Sequence, residues 1–359
     1  MNAPGGAGDP EGPAAIAAAR QIVEGAIAGR TFPAASLDVG SSAGTLWTEA
    51  LGTLTFDRGS PPAATGTPFD LASLTKVIAT TTVLMELVRT DRLNLGEPVS
   101  VFFDEWRGTD RELVTVRDLL EHAAGLAARL VDPPPKSRRE FEHEICRMAL
   151  EYAPRTRAIY SDLDFILLGF IAADRGGAPL SELFDRIVDE LTFDLPPDLK
   201  RLAAPTLPLT EDPRRGRTLA GEVHDNYAAA LGGAAGHAGL FGTAAAVGRF
   251  ARTVLRAARG ERDGPPPFSP ALVARFTTKT TVPGSSRALG WDTMLPTSSC
   301  GARMSPAAFG HVGFTGTSLW IDPERDRYFV LLTNRAYGGG SLDDMRTVRR
   351  AFHDALGDF

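Results

Sequence analysis

What most limits the folds open to this chain is where its two hydrophobic periods fall. Strand-like runs lie only towards the ends. "ASLDVGSSAGTLWTEALGTLTF" (35–56) reads as two strands around a Gly/Ser turn. "ALGWDTM" and "TSLWIDPERDRYFVLLTN" read as further strands, the second a hairpin turning at Pro323 to Arg327. From Leu74 to about Gly221 the signals are mainly helical. "TVRDLLEHAAGL" ends in Gly125, "REFEHEICRMAL" follows, and "DLDFILLGFIAADRGG" stops at Gly176 and Gly177. Proline-rich loops, "VDPPPK" and "LPPDLKRLAAPTLPLTEDP", separate them. Three more helices belong with the end strands. Ala14 to Ala28 carries Ile16, Ile22, Val23 and Ile27, and "AAAVGRFARTVLRAA" spans 244 to 258. "SLDDMRTVRRAFHDALG" has Ser341 as its cap, with Leu342, Met345, Val348, Phe352 and Leu356 on one face.

If the two groups of strands join, the fold is α+β: an antiparallel sheet flanked by terminal helices, with an all-helical domain inserted. The expected division is a disordered leader over 1–13, a discontinuous sheet domain over 14–73 and 221–359, and a helical domain over 74–220. The groove between the two parts is the expected place for a site. The chain shows no internal repeats.

Composition narrows the function. With 43% hydrophobic and 23% charged residues, a chain of 359 can bury a sizeable core. A net charge of −6 without a lysine/arginine block argues against nucleic acid and anionic membranes as partners. Cys146 and Cys300 are far apart and lack metal-ligand spacing, which excludes a disulfide framework. The N-terminal stretch has neither a basic nor an apolar signal region, and runs such as "FILLGFIAA" are too short to span a bilayer. The expectation is a soluble, cytoplasmic protein.

"FDLASLTKVIATTTVLMEL" (69–87) places Lys76 three residues after Ser73, where a helix enters a core. Ser73 as a plain N-cap with a snorkelling lysine is the bland reading. A cation fits poorly at a helix N-terminus, however, and residues three apart share a face. Burial and the dipole should lower the lysine's pKa, leaving an amine able to activate a serine. Tyr160, in "AIYSDLDFILLGF", stands just before a helix capped by Ser161 or Asp162. Its phenol could take the serine's proton if the amine pulls its pKa down. In "FGHVGFTGTSLWIDPERD", Gly310, Gly313 and Gly316 permit close approach of a strand to a ligand, and an edge N–H there can serve an oxyanion. His311 reads equally as ligand-facing or structural. "GSSAG" around Ser42 matches a nucleophile elbow, but it lies between two strands and reads as a hairpin turn.

Together, "SLTK", "YSD" and "HVG" resemble the S-x-x-K, Y-x-N and K-T-G or H-T-G motifs of the serine β-lactamase-like superfamily. The branch is that of class C β-lactamases, D-Ala-D-Ala carboxypeptidases and family VIII carboxylesterases, and the resemblance runs from about Ala14 to the C-terminus. It implies that Ser73 is the acylated nucleophile, Lys76 its activating amine and Tyr160 the general base. It implies an oxyanion hole from the N–H groups of Ser73 and Phe314, with His311, Gly313 and Asp162 around the substrate. His122, His237 and Gly236 read as structural, and neither metal nor cofactor is implied.

Two departures bear on the substrate. Val312 replaces a carboxylate-binding threonine, and Asp162 in place of asparagine adds negative charge near the cleft. Both disfavour anionic substrates, with Asn334 or Arg335 as substitute contacts. The expected activity is hydrolysis of neutral short-acyl esters, with a small-molecule ester or amide as partner. The alternatives are a β-lactamase or D-Ala-D-Ala carboxypeptidase, acyl transfer to another acceptor, and a non-hydrolysing penicillin-binding sensor.

Overall fold

The computed structural model describes residues 11–130, 132–357 and 359. The expected leader lies outside the described residues as far as residue 10. Helix α1 (Glu11–Ala28) begins three residues before the Ala14 expected from sequence. Its first turn takes in Pro13, which costs nothing where no intrahelical N–H bond is made.

Strands β1 (Ala34–Ser41) and β2 (Gly44–Gly52) form the first hairpin, with Ser42 in its turn. The short β3 (Phe69–Asp70) leads to a helix that is π-wound over Lys76–Thr80 and continues as α2 (Thr81–Arg89). Next come α3 (Val116–Leu120), α4 (Arg138–Arg147), α5 (Asp162–Gly176) and α6 (Leu180–Asp185). They are followed by α7 (Pro197–Lys200) and α8 (Asn226–Ala230). Then β4 (Phe241–Gly242) pairs with β3, and α9 (Ala244–Ala258) and α10 (Pro270–Thr277) follow. Strands β5 (Asp292–Thr293), β6 (Phe309–Val312), β7 (Ser318–Asp322) and β8 (Arg327–Thr333) precede α11 (Leu342–Ala355).

The end strands do join. The six-stranded sheet has the order β2-β1-β8-β7-β6-β5, and every pairing is antiparallel. Strand β1 sits against β8 with Leu37 opposite Leu331. Alternation sorts the side chains to two faces. Ala35, Leu37, Val39, Trp320, Phe329 and Leu331 pack with Val23 of α1 and with Met345 and Phe352 of α11. Leu319, Ile321, Val330 and Leu332 share the other core with Val247, Phe250 and Val254 of α9. Each Val, Leu, Ile, Phe or Met side chain removed from water in these cores stabilises the fold by roughly 1.5–3 kcal/mol.

Three local readings need correction. "ALGWDTM" supplies only two strand residues, and the helix of "TVRDLLEHAAGL" stops at Leu120, well before Gly125. Leu342, expected on the buried face of α11, is 52% exposed, because it is the first residue of the helix and lines a cavity instead of the core.

Candidate active site

The turn after β3 sets the nucleophile. Ala72 adopts φ 48°, a left-handed conformation that costs an alanine on the order of 1 kcal/mol. Asp70 offsets that strain: its carboxylate accepts from the N–H of Ala72 at 2.8 Å and of His224 at 2.6 Å. Ser73 follows, and one helical turn on stands Lys76, fully buried. The Lys76 Nζ donates to Ser73 Oγ at 3.0 Å, to Asp162 Oδ1 at 2.7 Å and to the His237 carbonyl at 3.1 Å. Three acceptors match the three N–H bonds of an ammonium, whereas a neutral amine has only two to give. The π-wound segment belongs to this arrangement, since Thr81 donates to the Lys76 carbonyl and Thr80 to that of Gly236.

The expected direction of the lysine's shift is therefore reversed. Burial does oppose the ammonium, but the Asp162 carboxylate and the Tyr160 oxygen outweigh it and hold Lys76 above its ordinary value. Tyr160 is likewise raised rather than lowered, because burial exceeds the pull of Lys76. Its hydroxyl donates to Ser73 Oγ at 2.7 Å, and its ring lies between His122, at 4.9 Å, and His311, at 5.8 Å.

Tyr160 and Asp162 flank Ser161, which caps α5 by accepting from Leu163 and Asp164. Asp162 does not put free negative charge into the cleft. Burial would raise its pKa, yet Lys76 and Arg129 hold it below the ordinary carboxylate value, the latter through a contact of 2.8 Å to Oδ2. Arg129 also donates to Asp225 at 2.9 Å and Asn226 at 2.8 Å, and Asp225 meets His237 Nε2 at 2.7 Å. Lys76, Asp162, Arg129 and Asp225 thus form two cations and two anions in one chain of contacts. Sequence reasoning missed Arg129 and Asp225, since they lie on loops far apart in the chain and match no spacing. His237 holds Lys76 through its carbonyl, and His122 Nδ1 is 3.0 Å from Asp164.

His311 Nδ1 lies 2.8 Å from the Val312 carbonyl, which can only accept, so the proton is on Nδ1. Burial, then Arg287 and Lys76, hold His311 well below its ordinary pKa. The ring is neutral and presents a bare Nε2, buried without a partner among the described residues. The loop after β6 is stitched to the nucleophile's turn: Thr315 donates to the Asp70 carbonyl at 2.8 Å and Thr317 to that of Leu71 at 3.0 Å. Gly313 is required there, because a Cβ would fall 2.7 Å from the Leu71 oxygen and 2.2 Å from Thr317 Oγ1. Gly316, at φ 108°, closes the turn. Among the described residues no carbonyl accepts from the N–H of Ser73 or of Phe314.

Of the other sequence candidates, Ser42 bonds Asp326 in the β1–β2 turn. Asn334 spends its amide on Ala34, Leu54 and Pro205, and Arg335 grips the Phe314 carbonyl, so neither is a free substrate contact. A cavity of about 440 Å³ opens over Ser73. Tyr160, Asp162, His311, Val312, Gly313 and Phe314 line it, together with Arg287, Leu209 and Leu342. No cluster of His, Cys, Asp and Glu suited to a metal ion occurs among the described residues. No helix among them is long and apolar enough to cross a membrane.

Residues 19–353 match the model of the beta-lactamase family, and the chain belongs to that family of serine hydrolases. It is 31% identical over 318 residues to an Escherichia coli K12 protein named "Putative D-alanyl-D-alanine carboxypeptidase", covering 77% of this chain and 70% of the relative. Solved structures of similar fold include a beta-lactamase/D-alanine carboxypeptidase from Pseudomonas syringae, with TM-score 0.75 and 17% identity over 95% of this chain and 99% of that one. Another is EstCE1, a hydrolase with promiscuous acyltransferase activity, with TM-score 0.74 and 18% identity over 95% and 99% of the two chains.

Proposed function

We propose that the chain is a carboxylesterase that hydrolyses neutral short-acyl esters through an acyl-enzyme on Ser73. The observation that carries the reading is the trio Ser73, Lys76 and Tyr160, at 3.0 and 2.7 Å, beneath a cavity lined by Val312, the middle residue of the third motif. The Ser73 oxygen attacks the ester carbonyl, whose oxygen takes the N–H groups of Ser73 and Phe314. Both Lys76 and Tyr160 are raised, so the resting pair is ammonium and phenol. Tyr160 then works as a shuttle: its hydroxyl, which at rest donates to Ser73 Oγ, turns to the alkoxy oxygen of the ester, gives its proton to the departing alcohol and takes the serine's proton in exchange. The Lys76 cation stabilises the negative charge on the phenol oxygen during the transfer. Water reverses these steps in deacylation. Leu209, Phe314 and Leu342, each 39 to 52% exposed, give the mouth an apolar rim that favours an uncharged substrate.

One observation favours a second reading, a β-lactamase or D-Ala-D-Ala carboxypeptidase. Arg287 lines the same cavity with its guanidinium 5.4 Å from the Tyr160 ring centre, and among the described residues no carboxylate pairs with it. It could hold a substrate carboxylate in place of the threonine missing at Val312.

The test compares kcat/KM for p-nitrophenyl acetate and butyrate with that for a chromogenic cephalosporin and a D-Ala-D-Ala peptide, in the wild type and in Arg287→Met. Faster ester hydrolysis that survives Arg287→Met is expected. If the cephalosporin or peptide is the better substrate and Arg287→Met abolishes the preference, the second reading replaces the first. Ser73→Ala should remove both turnover and fluorophosphonate labelling.

A further inference from the structure

Resting on the reading of Phe314 as an oxyanion donor, we propose that Arg349 and Arg335 are positioning residues that aim and polarise its N–H. Arg349 Nη2 donates to the Gly313 carbonyl at 2.6 Å and to that of Thr317 at 2.9 Å. The Gly313 carbonyl and the Phe314 N–H belong to one trans peptide, so they point in opposite directions. Fixing the oxygen therefore fixes the line of the N–H. Arg335 holds the next carbonyl, that of Phe314, through Nε at 3.1 Å and Nη2 at 2.5 Å, and its guanidinium lies 4.6 Å from the Phe314 ring centre. The loop cannot rotate without breaking one set or the other.

The two arginines also stand apart by charge. Arg349 is 5% exposed and Arg335 8%, and among the described residues neither has a carboxylate partner. Buried cations are ordinarily paired. Arg111, similarly buried, has Asp110, and Arg214 has Asp212. Burial, together with Arg335, pushes the Arg349 guanidinium down to about 9, which reflects the cost of leaving it unpaired. The Arg349 charge, on the carbonyl oxygen of the Gly313–Phe314 peptide, draws electron density from its nitrogen and strengthens the N–H as a donor, and Arg335 adds a second uncompensated positive charge on the peptide that follows. Both charges also supply positive potential where an oxyanion would develop, an interaction made in the transition state and not in the bound ester.

The experiment uses Arg349→Met, Arg349→Lys and Arg335→Gln, each checked for folding by thermal melt. Two quantities are read: kcat and KM for p-nitrophenyl acetate, and the affinity for phenylboronic acid, whose tetrahedral adduct on Ser73 presents an oxygen to the same N–H groups. Arg349→Met and Arg335→Gln should lower kcat about 10- to 100-fold, less than the 10²–10³ lost when an oxyanion donor is removed outright. KM should stay within about twofold, boronate affinity should fall by the same factor as kcat, and Arg349→Lys should recover part of both. Folded variants that keep kcat and boronate affinity within about twofold of wild type overturn the proposal, as does a loss confined to KM. If the Arg349 variants do not fold, Arg335→Gln decides by the same criteria. A wild type that binds boronate but hydrolyses no ester counts against the esterase reading instead, and the boronate series still measures the hole.

Discussion

A lysine with nothing but a serine beside it in an apolar core would lose its proton; Lys76 keeps it because three acceptors are arranged around one nitrogen. The decisive partner is Asp162, which supplies both charge and a hydrogen bond at 2.7 Å. This changes the proton bookkeeping of the site, since the cation and the phenol are the resting forms. The consequence can be read in a pH profile. Asp162 favours the charged amine, so Asp162→Asn lowers the pKa of Lys76. Activity that needs the cation is lost as pH rises through that pKa, and the alkaline limb of kcat/KM should move to lower pH in Asp162→Asn. Arg129 loses a partner in the same variant, and kcat should fall by about 10-fold even at the optimum. A limb that stays in place, or moves to higher pH, would show that the neutral amine is the working form.

Among the elements, α5 does the most to assemble the site, and it does so from its first turn. The Ser161 hydroxyl accepts from Leu163 and Asp164 and donates to the Ala127 carbonyl at 2.6 Å, which ties the helix start to the loop that carries Arg129. Ser161→Ala should cost about 1 kcal/mol of stability, as cap removals do. It should also lower kcat, since Tyr160 and Asp162 lie on either side. Thermal melts and ester kinetics on the same preparation separate the two effects; a stability loss with unchanged kcat would mean that packing alone holds Tyr160. This helix was legible in the sequence: its cap, its apolar run and its left-handed Gly177 are local signals. So were α9, found at the expected 244 to 258, and the Ser341 cap of α11, which Asp344 completes as a capping box in the fold. The three motif residues at Ser73, Lys76 and Tyr160 were legible because each sits beside a helix start. Strand β5 was read as longer than its two residues, and the two-residue strands β3 and β4 were not legible, because so short a pairing leaves no period to detect. Nor was the strained Ala72, whose conformation depends on Asp70 and on His224 from the far side of the helical segment. Charge compensation of Asp162 by Arg129 joins segments whose proximity only the tertiary fold creates, and a reading of neighbours in sequence assigned that carboxylate the wrong electrostatic effect.

For the whole molecule, the central strands β1, β8 and β7 are covered on both faces, so their polar neighbours titrate in a dry interior. His353 on α11 shows the consequence. It is fully buried against β7, with Nε2 3.0 Å from Ser318 Oγ and Nδ1 unpartnered among the described residues. Burial, and then Arg349, lower its pKa to about 3. In the unfolded chain the same imidazole titrates near 6.5. Above that value both states carry it neutral and it adds no pH dependence. Below it the unfolded chain binds a proton that the fold refuses, so stability is lost as pH falls from about 6.5 towards 3. Between pH 7 and 5.5 this one residue should remove about 1 kcal/mol. Other buried groups act in the same range: His224, lowered to about 4, adds to the loss, while Asp38 and Asp70, raised to about 6 by burial, work against it. The comparison must therefore be made between variants rather than on the wild type alone. His353→Gln keeps a polar group for Ser318 and removes the titration. Urea unfolding at pH 7 and pH 5.5 should show the wild type losing about 1 kcal/mol more than His353→Gln on acidification, with little difference in slope between them. Equal losses in the two proteins would mean that His353 takes up its proton inside the fold, and that the face between α11 and β7 admits water.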